Sequence, residues 1–271
     1  MKDVRGKTAL VTGGASGMGL LWCERLAKDG ADLVIWDINQ DAADETAEQL
    51  RRTTGRKVYA QRVDVSDPVR VEEAAEETLA TMGHVDVLIN NAGIVFAAPY
   101  LDSPKEKLSA TIDVDLKAPM WTMQAFLPGM IQRNQGHIVN ISSASGFIGV
   151  PRMAAYVAAK WGLIGLTESV RLELKLMHVS GVRFTLVCPS YVDTGMFAGA
   201  KPPFLTKMLK PEDIINTAYR AFKQNRYIVK EPWLVKVTPP LKALLPYQVF
   251  DLISGLLGAN KSMTDWRNER P

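Results

Sequence analysis

Tyr156 and Lys160 stand four residues apart, a spacing that puts two side chains on one face of a helix. A phenol has a pKa of about 10 and is a poor base near neutral pH. A neighbouring ammonium and a positively charged nicotinamide ring both favour the phenolate and make the phenol a usable proton acceptor. Lowering its pKa by about three units corresponds to roughly 4 kcal/mol, within reach of a charge pair in a partly dry cleft. Ser143 closes an apolar run, and its hydroxyl can hold a substrate oxygen while the proton leaves. Such a trio suits proton transfer coupled to hydride transfer.

A second constellation lies upstream. The apolar run Thr8-Ala9-Leu10-Val11 is followed by Thr12-Gly13-Gly14-Ala15-Ser16-Gly17-Met18-Gly19 and then by helical spacing from Leu20 to Gly30. A glycine-rich turn between strand and helix brings bare amides close to a ligand. The helix N-terminus adds partial positive charge, so Gly13, Ser16, Gly17, Met18 and Gly19 suit a pyrophosphate. Asp37 closes the next apolar run 18 residues after Gly19, where a ribose-binding carboxylate is expected. That acid would accept from both ribose hydroxyls and repel a 2′-phosphate. Position 16 is Ser16 and position 38 is Ile38, so the usual arginine partners of such a phosphate are missing and NAD is expected over NADP.

The elements that must position these groups alternate. Apolar runs fall near 8–12, 32–36, 57–63, 85–89, 137–142, 182–188 and 227–229. Helical patterns fall near 17–30, 39–54, 67–82, 104–133, 154–178 and 211–224. Strand then helix, repeated, implies an α/β fold with a doubly wound parallel sheet covered on both faces. Its ligands bind beyond the carboxyl ends of the strands. Asn90-Asn91-Ala92-Gly93 ends the fourth run there, and Cys188-Pro189-Ser190-Tyr191-Val192-Asp193-Thr194-Gly195 ends the sixth.

Residues 1–230 read as one dinucleotide-binding and catalytic domain, and 231–271 as an amphipathic appendage on it. Val249, Leu252, Ile253 and Leu256 recur there at helical spacing, while Lys236, Lys242 and Asp251 interrupt the apolar stretch too often for a spanning helix. Two readings of 231–260 stand: it packs on the core or a neighbouring subunit, or it roofs the cleft beside Tyr191 and Phe197 and touches a membrane.

Bulk properties exclude other classes. The net charge of +3 carries no basic stripe, so no nucleic-acid partner is expected. Cys23 and Cys188 form no CxxC pair and sit in apolar contexts, as core residues of a reducing compartment do. No leader pattern precedes the first strand, so a cytoplasmic protein is expected. His84, His137 and His178 do not cluster, and no metal is expected.

Over residues 5–230 the chain resembles the short-chain dehydrogenase/reductase family. It has the family's TGxxxGxG turn, its NNAG, a serine thirteen residues before the tyrosine of YxxxK, and its proline–threonine loop. The resemblance implies one Rossmann domain with a seven-stranded parallel sheet, as a homodimer or homotetramer. It implies Tyr156 as general acid/base, Lys160 on the nicotinamide ribose, and Ser143 on the substrate oxygen. Pro189, Thr194 and the backbone near Val192 would hold the carboxamide, Asp64 and Val65 would flank the adenine, and Asn91, Ala92 and Gly93 would line the cofactor cleft. Tyr191 and Phe197 would join Ser143 and Tyr156 around the substrate.

Within the family the likeness is to retinol, hydroxysteroid and long-chain-alcohol dehydrogenases, carried by Trp36-Asp37-Ile38-Asn39, Ala125-Phe126-Leu127-Pro128-Gly129-Met130, Gly136-His137-Ile138-Val139 and Thr194-Gly195-Met196. It implies a small hydrophobic primary or secondary alcohol, or the matching carbonyl, as substrate. The alternatives are a reductase of smaller polar carbonyls or acyl thioesters, and a nucleotide sensor without catalysis. There are departures. Asp115 stands where the family has an asparagine that supports a water contacting the lysine. That role runs largely through a backbone carbonyl, which Asp115 also has. Ala159 replaces a common serine, and Ile228-Val229-Lys230-Glu231-Pro232 lacks the glycine pair often seen after the last strand.

Overall fold

A computed structural model describes residues 1–267. Seven strands form one parallel sheet: β1 (Thr8–Thr12), β2 (Asp32–Asp37), β3 (Val58–Arg62), β4 (Val87–Asn90), β5 (Gly136–Ile141), β6 (Val182–Pro189) and β7 (Ile228–Glu231). Their order is β3-β2-β1-β4-β5-β6-β7. The winding reverses between β1 and β4, which opens a crevice at the carboxyl edge, where such folds bind ligands. The doubly wound fold expected from the alternating pattern is therefore present. β1, β4 and β5 are buried along their whole length because helices cover both faces.

Local signals set the helix ends. In α2 (Gln40–Thr54) the Asn39 side chain accepts from the Ala42 amide at 3.1 Å, and Gly55 takes the left-handed conformation that closes the helix. In α3 (Pro68–Met82) Asp67 accepts from the amides of Val69 and Arg70, with Pro68 in the first helical position. One face of the sheet is covered by α1 (Gly17–Lys28), α2 and α7 (Pro211–Lys223), which bury Trp22, Leu26 and Phe222 against Leu33, Ile35 and Val187. The other face packs α3, α5 (Ala118–Gln132) and α6 (Ala154–Leu176), with Phe126, Met130 and Leu174 against Leu10, Val34 and Ile138.

The helical pattern over 104–133 is not one helix. It divides into α4 (Lys105–Ile112), a wide π turn over Asp113–Lys117, and α5. Pro119 has no N–H to offer the Asp115 carbonyl four residues earlier, so the regular ladder cannot run through this point. The widened turn places the Asp115 side chain in the interior.

Beyond β7 the appendage folds as α8 (Trp233–Leu244), α9 (Tyr247–Leu256) and a closing segment to Arg267. Of the expected appendage 231–271, residues 268–271 lie outside the described residues. α8 packs beside β7 and buries Val235, whereas among the described residues α9 has no fully buried side chain. Among the described residues Val249, Leu252 and Leu256 of the stripe are exposed and Ile253 is half-buried.

Candidate active site

The glycine turn is held by its surroundings. Gly13 and Gly17 have φ of 61° and 52°, in the left-handed region that glycine adopts without strain. A Cβ on Gly19 would overlap the Gly13 carbonyl oxygen and lie 2.7 Å from Asn91 Nδ2. Asn91 Nδ2 donates to the carbonyls of Thr12 and Gly13, at 3.0 and 3.1 Å. The Thr12 hydroxyl accepts from the amides of Asn91 and Ala92, both at 3.0 Å. The NNAG segment thus braces the glycine turn from the neighbouring strand. Ser16, the cap residue of α1, makes no side-chain hydrogen bond to the amides at the start of the helix. Asp37 Oδ2 accepts from the Ala15 amide at 3.0 Å and Oδ1 from the Asn39 amide at 3.1 Å, which fixes the carboxylate against the turn.

A cleft of about 520 Å³ runs along this edge. Gly13, Ser16, Gly17 and Met18 line it on the pyrophosphate side, and Asp37, Ile38, Asp64 and Val65 at one end. Asn91, Ala92 and Gly93 form part of the floor, with Pro189, Val192 and Thr194 toward the other end. Ser143, Tyr156, Lys160 and Phe197 complete that end. Three residues singled out in the sequence are not on this wall: Gly19 lies behind the turn, Asp115 beneath Lys160, and Tyr191 in an adjoining pocket. The bare turn, the amides that Ser16 leaves uncapped and the clamped carboxylate fit a dinucleotide.

Tyr156 and Lys160 are one turn apart in α6, with Lys160 Nζ 5.4 Å from the Tyr156 ring centroid. Lys160 Nζ donates to the Ile141 carbonyl at 3.1 Å and to Asp115 Oδ1 at 3.4 Å. Asp115 Oδ1 also accepts from the Ile94 amide at 3.1 Å. Ser143 is extended (φ −156°), and its hydroxyl accepts from the Ser145 amide at 3.2 Å. A satisfied polar network ties the elements below: Thr122 donates to Asn90, Asn90 to Asn140, and Asn140 to Thr167, each within 2.8 Å. Asn90 therefore serves the scaffold, while its neighbour Asn91 faces the cleft.

In the chain alone, burial pushes the Tyr156 hydroxyl above the ordinary tyrosine value, the Asp115 charge pushes the same way, and a hydrogen bond with Ser143 works against both. Burial is the largest of these effects, and Asp115 partners the Lys160 ammonium that would otherwise act on the phenol undiminished. Burial also raises Asp115 to about 6, with Lys160 and the Ile94 amide opposing.

An adjoining pocket is walled mostly by apolar groups, among them Ile148, Val150, Met153, Tyr191, Phe197 and Pro203. Phe197 stands edge-on to both Tyr156 and Tyr191, at centroid distances of 6.2 and 5.3 Å. The roof comes from the end of the stretch 231–260 and the residues just after it. Of that stretch Ala259 lines the pocket, joined by Ser262. The Tyr191 hydroxyl donates to Ser262 Oγ at 2.8 Å, and Trp266 Nε1 donates to the Met196 carbonyl at 3.0 Å. Met263 is buried against the same cluster. These roof residues carry no local motif, and their partners lie about seventy residues away. α8 instead holds the neighbouring wall, where Lys242 donates to the Phe147 carbonyl at 3.2 Å.

The fold and the cleft together define an oxidoreductase that acts on CH–OH groups with a nicotinamide dinucleotide. The chain belongs to the short chain dehydrogenase family, whose profile matches residues 7–203. A human relative named epidermal retinol dehydrogenase 2 is 36% identical over 271 residues, covering 99% of this chain and 88% of that protein. A short chain dehydrogenase/reductase from Burkholderia phymatum, solved in complex with NAD, superposes with a TM-score of 0.82 at 26% identity, over 93% of this chain and 97% of that one. A short-chain dehydrogenase from Sphingobium yanoikuyae in complex with NADPH superposes with a TM-score of 0.76 at 26% identity, over 98% of each chain.

Proposed function

We propose that the chain is an NAD-dependent dehydrogenase that interconverts a hydrophobic primary or secondary alcohol, of retinoid, steroid or long-chain type, with its carbonyl. The observation that carries this reading is the convergence of Ser143, Tyr156 and Lys160 where the dinucleotide cleft meets an apolar pocket. The retinol dehydrogenase name of the human relative supports the same substrate class. When bound, the dinucleotide supplies the acceptor of a hydride, and in reverse its donor. The Ser143 hydroxyl holds the substrate oxygen beside Tyr156. Tyr156 takes the alcohol proton in oxidation and returns it in reduction. Lys160 binds the nicotinamide ribose, and its charge favours the phenolate. Asp37 binds the other ribose, Asp64 and Val65 flank the adenine, and Pro189, Val192 and Thr194 receive the carboxamide. Leu244, Tyr247, Leu252 and Leu256 are exposed on α8 and α9 near Lys236 and Lys242, which supports contact of this segment with a membrane that holds such an alcohol.

The test is the initial rate of reduced-nicotinamide formation across alcohols of growing apolar size, run with NAD and with NADP. kcat/KM is expected to rise with apolar size. NAD is expected to be favoured on the order of a hundredfold, since a 2′-phosphate beside Asp37 is a like-charge clash of several kcal/mol. Preference for a small polar carbonyl or an acyl thioester would overturn the substrate reading. Preference for NADP would overturn the reading of Asp37.

A further inference from the structure

The floor beneath Tyr156 holds a charge pair that this chain builds with an aspartate. Asp115 is fully buried and Lys160 is 4% exposed. Asp115 Oδ1 takes both available donors, Lys160 Nζ and the Ile94 amide. Oδ2 is buried with no hydrogen-bond partner among the described residues. A Cβ on Gly93 would come within 2.8 Å of Asp115 Oδ1, so only a glycine lets the loop after β4 close over the pair. Asparagine at this position would keep the shape and lack the charge.

We propose that Asp115 is a positioning residue that sets, through Lys160, the pH at which Tyr156 gives up its proton. The inference rests on the reading of Tyr156 as the proton acceptor. Lys160 Nζ lies between the two groups, 3.4 Å from the carboxylate and 5.4 Å from the phenol ring centroid. Ionised Asp115 offsets the field that Lys160 exerts on the phenol, and neutral Asp115 leaves that field whole.

Few other charges face this group. From β6 the Cys188 thiol faces Lys160, but burial pushes it to about 12 and it stays neutral. From the loop after β6, the Tyr191 hydroxyl faces Tyr156 and is bonded to Ser262. β5 and the serines after it offer the Ile141 carbonyl and the hydroxyls of Ser142 and Ser143. On the π turn itself, Asp113 is paired with Lys117 at 2.7 Å.

Asp115→Asn tests this in the full-length enzyme with NAD and an alcohol, through the pH profile of kcat. Oxidation rises with pH as Tyr156 ionises. In Asp115→Asn the midpoint of that rise is expected to move down by about one pH unit, a tenfold change in the ionisation constant or about 1.4 kcal/mol. The sign separates the proposal from a plain scaffold role, since a loosened Lys160 would weaken the field and leave the midpoint in place or move it up. The unaltered enzyme gives a second readout: a shoulder near pH 6, where Asp115 ionises, that the variant lacks. Should Asp115→Asn fail to fold, the shoulder decides, and a profile without it overturns the proposal. An unmoved or raised midpoint in a folded variant overturns it as well. Tyr156→Phe run alongside keeps the two readings apart. If that variant still turns over, the reading of Tyr156 falls and this inference with it. If it is inactive while Asp115→Asn keeps the normal profile, Asp115 alone has been misread.

Discussion

Tyr156→Phe is expected to lower turnover by at least about 10²–10⁴-fold, the usual contribution of a general acid–base group. NADH binding should stay within about threefold of the unaltered chain, a change under roughly 0.7 kcal/mol. The ring remains, so its edge-on contact with Phe197 and its place over Lys160 are kept. What is lost is one oxygen on the path of the proton. Of the nearby hydroxyls, that of Ser143 accepts from the Ser145 amide, that of Ser142 donates to the Lys160 carbonyl, and that of Tyr191 is bonded to Ser262. Steady-state rates and NADH fluorescence titration measure the two quantities separately. More than a tenth of normal activity in the variant would remove Tyr156 from the mechanism.

Gly19→Ala should be the most damaging single methyl at the glycine turn that borders the cofactor cleft. The added carbon would overlap the Gly13 carbonyl oxygen and crowd Asn91 Nδ2, neither of which is the free end of a flexible chain. Relief requires α1 to back away from the turn, which costs about 1–3 kcal/mol or more. That cost falls on the geometry needed for the dinucleotide, so NADH affinity should fall on the order of a hundredfold. Gly165→Ala, on the exposed side of α6 with nothing within 4 Å of the new carbon, is the control. It should leave NADH binding unchanged and stabilise the helix by up to about 1 kcal/mol. Equal NADH affinity in the two variants would show that the turn does not hold the nucleotide as described.

The sequence made some of this architecture legible because the signals are local. A doubly buried strand must be continuously apolar, so each run from Thr8–Val11 onward marked its strand. Asp37, Tyr156 and Lys160 stood out because strand ends and helix turns fix where their side chains lie. The division of 104–133 was hidden because Pro119 acts on a carbonyl four residues away, while the surrounding residues keep a helical pattern. The resemblance pointed Asp115 toward the lysine, but the direct Asp115–Lys160 ion pair was not legible from spacing. The two groups lie 45 residues apart in sequence, and only the π turn brings the carboxylate inward. The Tyr191–Ser262 contact spans 71 residues and follows from tertiary packing alone. The apolar stripe of α9 was seen, but periodicity does not say what covers it, and among the described residues it is covered only in part, at Ile253.

Hydride transfer between an apolar alcohol and NAD is the central claim, and isotope transfer tests it most directly. The full-length protein is mixed with NAD and a long-chain or polycyclic alcohol deuterated at its carbinol carbon, and the recovered dinucleotide is examined by mass spectrometry. The account predicts reduced NAD carrying one deuterium from the alcohol, formed by the unaltered protein and not by Tyr156→Phe. Reduced NAD without deuterium, or no reduced NAD from any alcohol of the series, would contradict it.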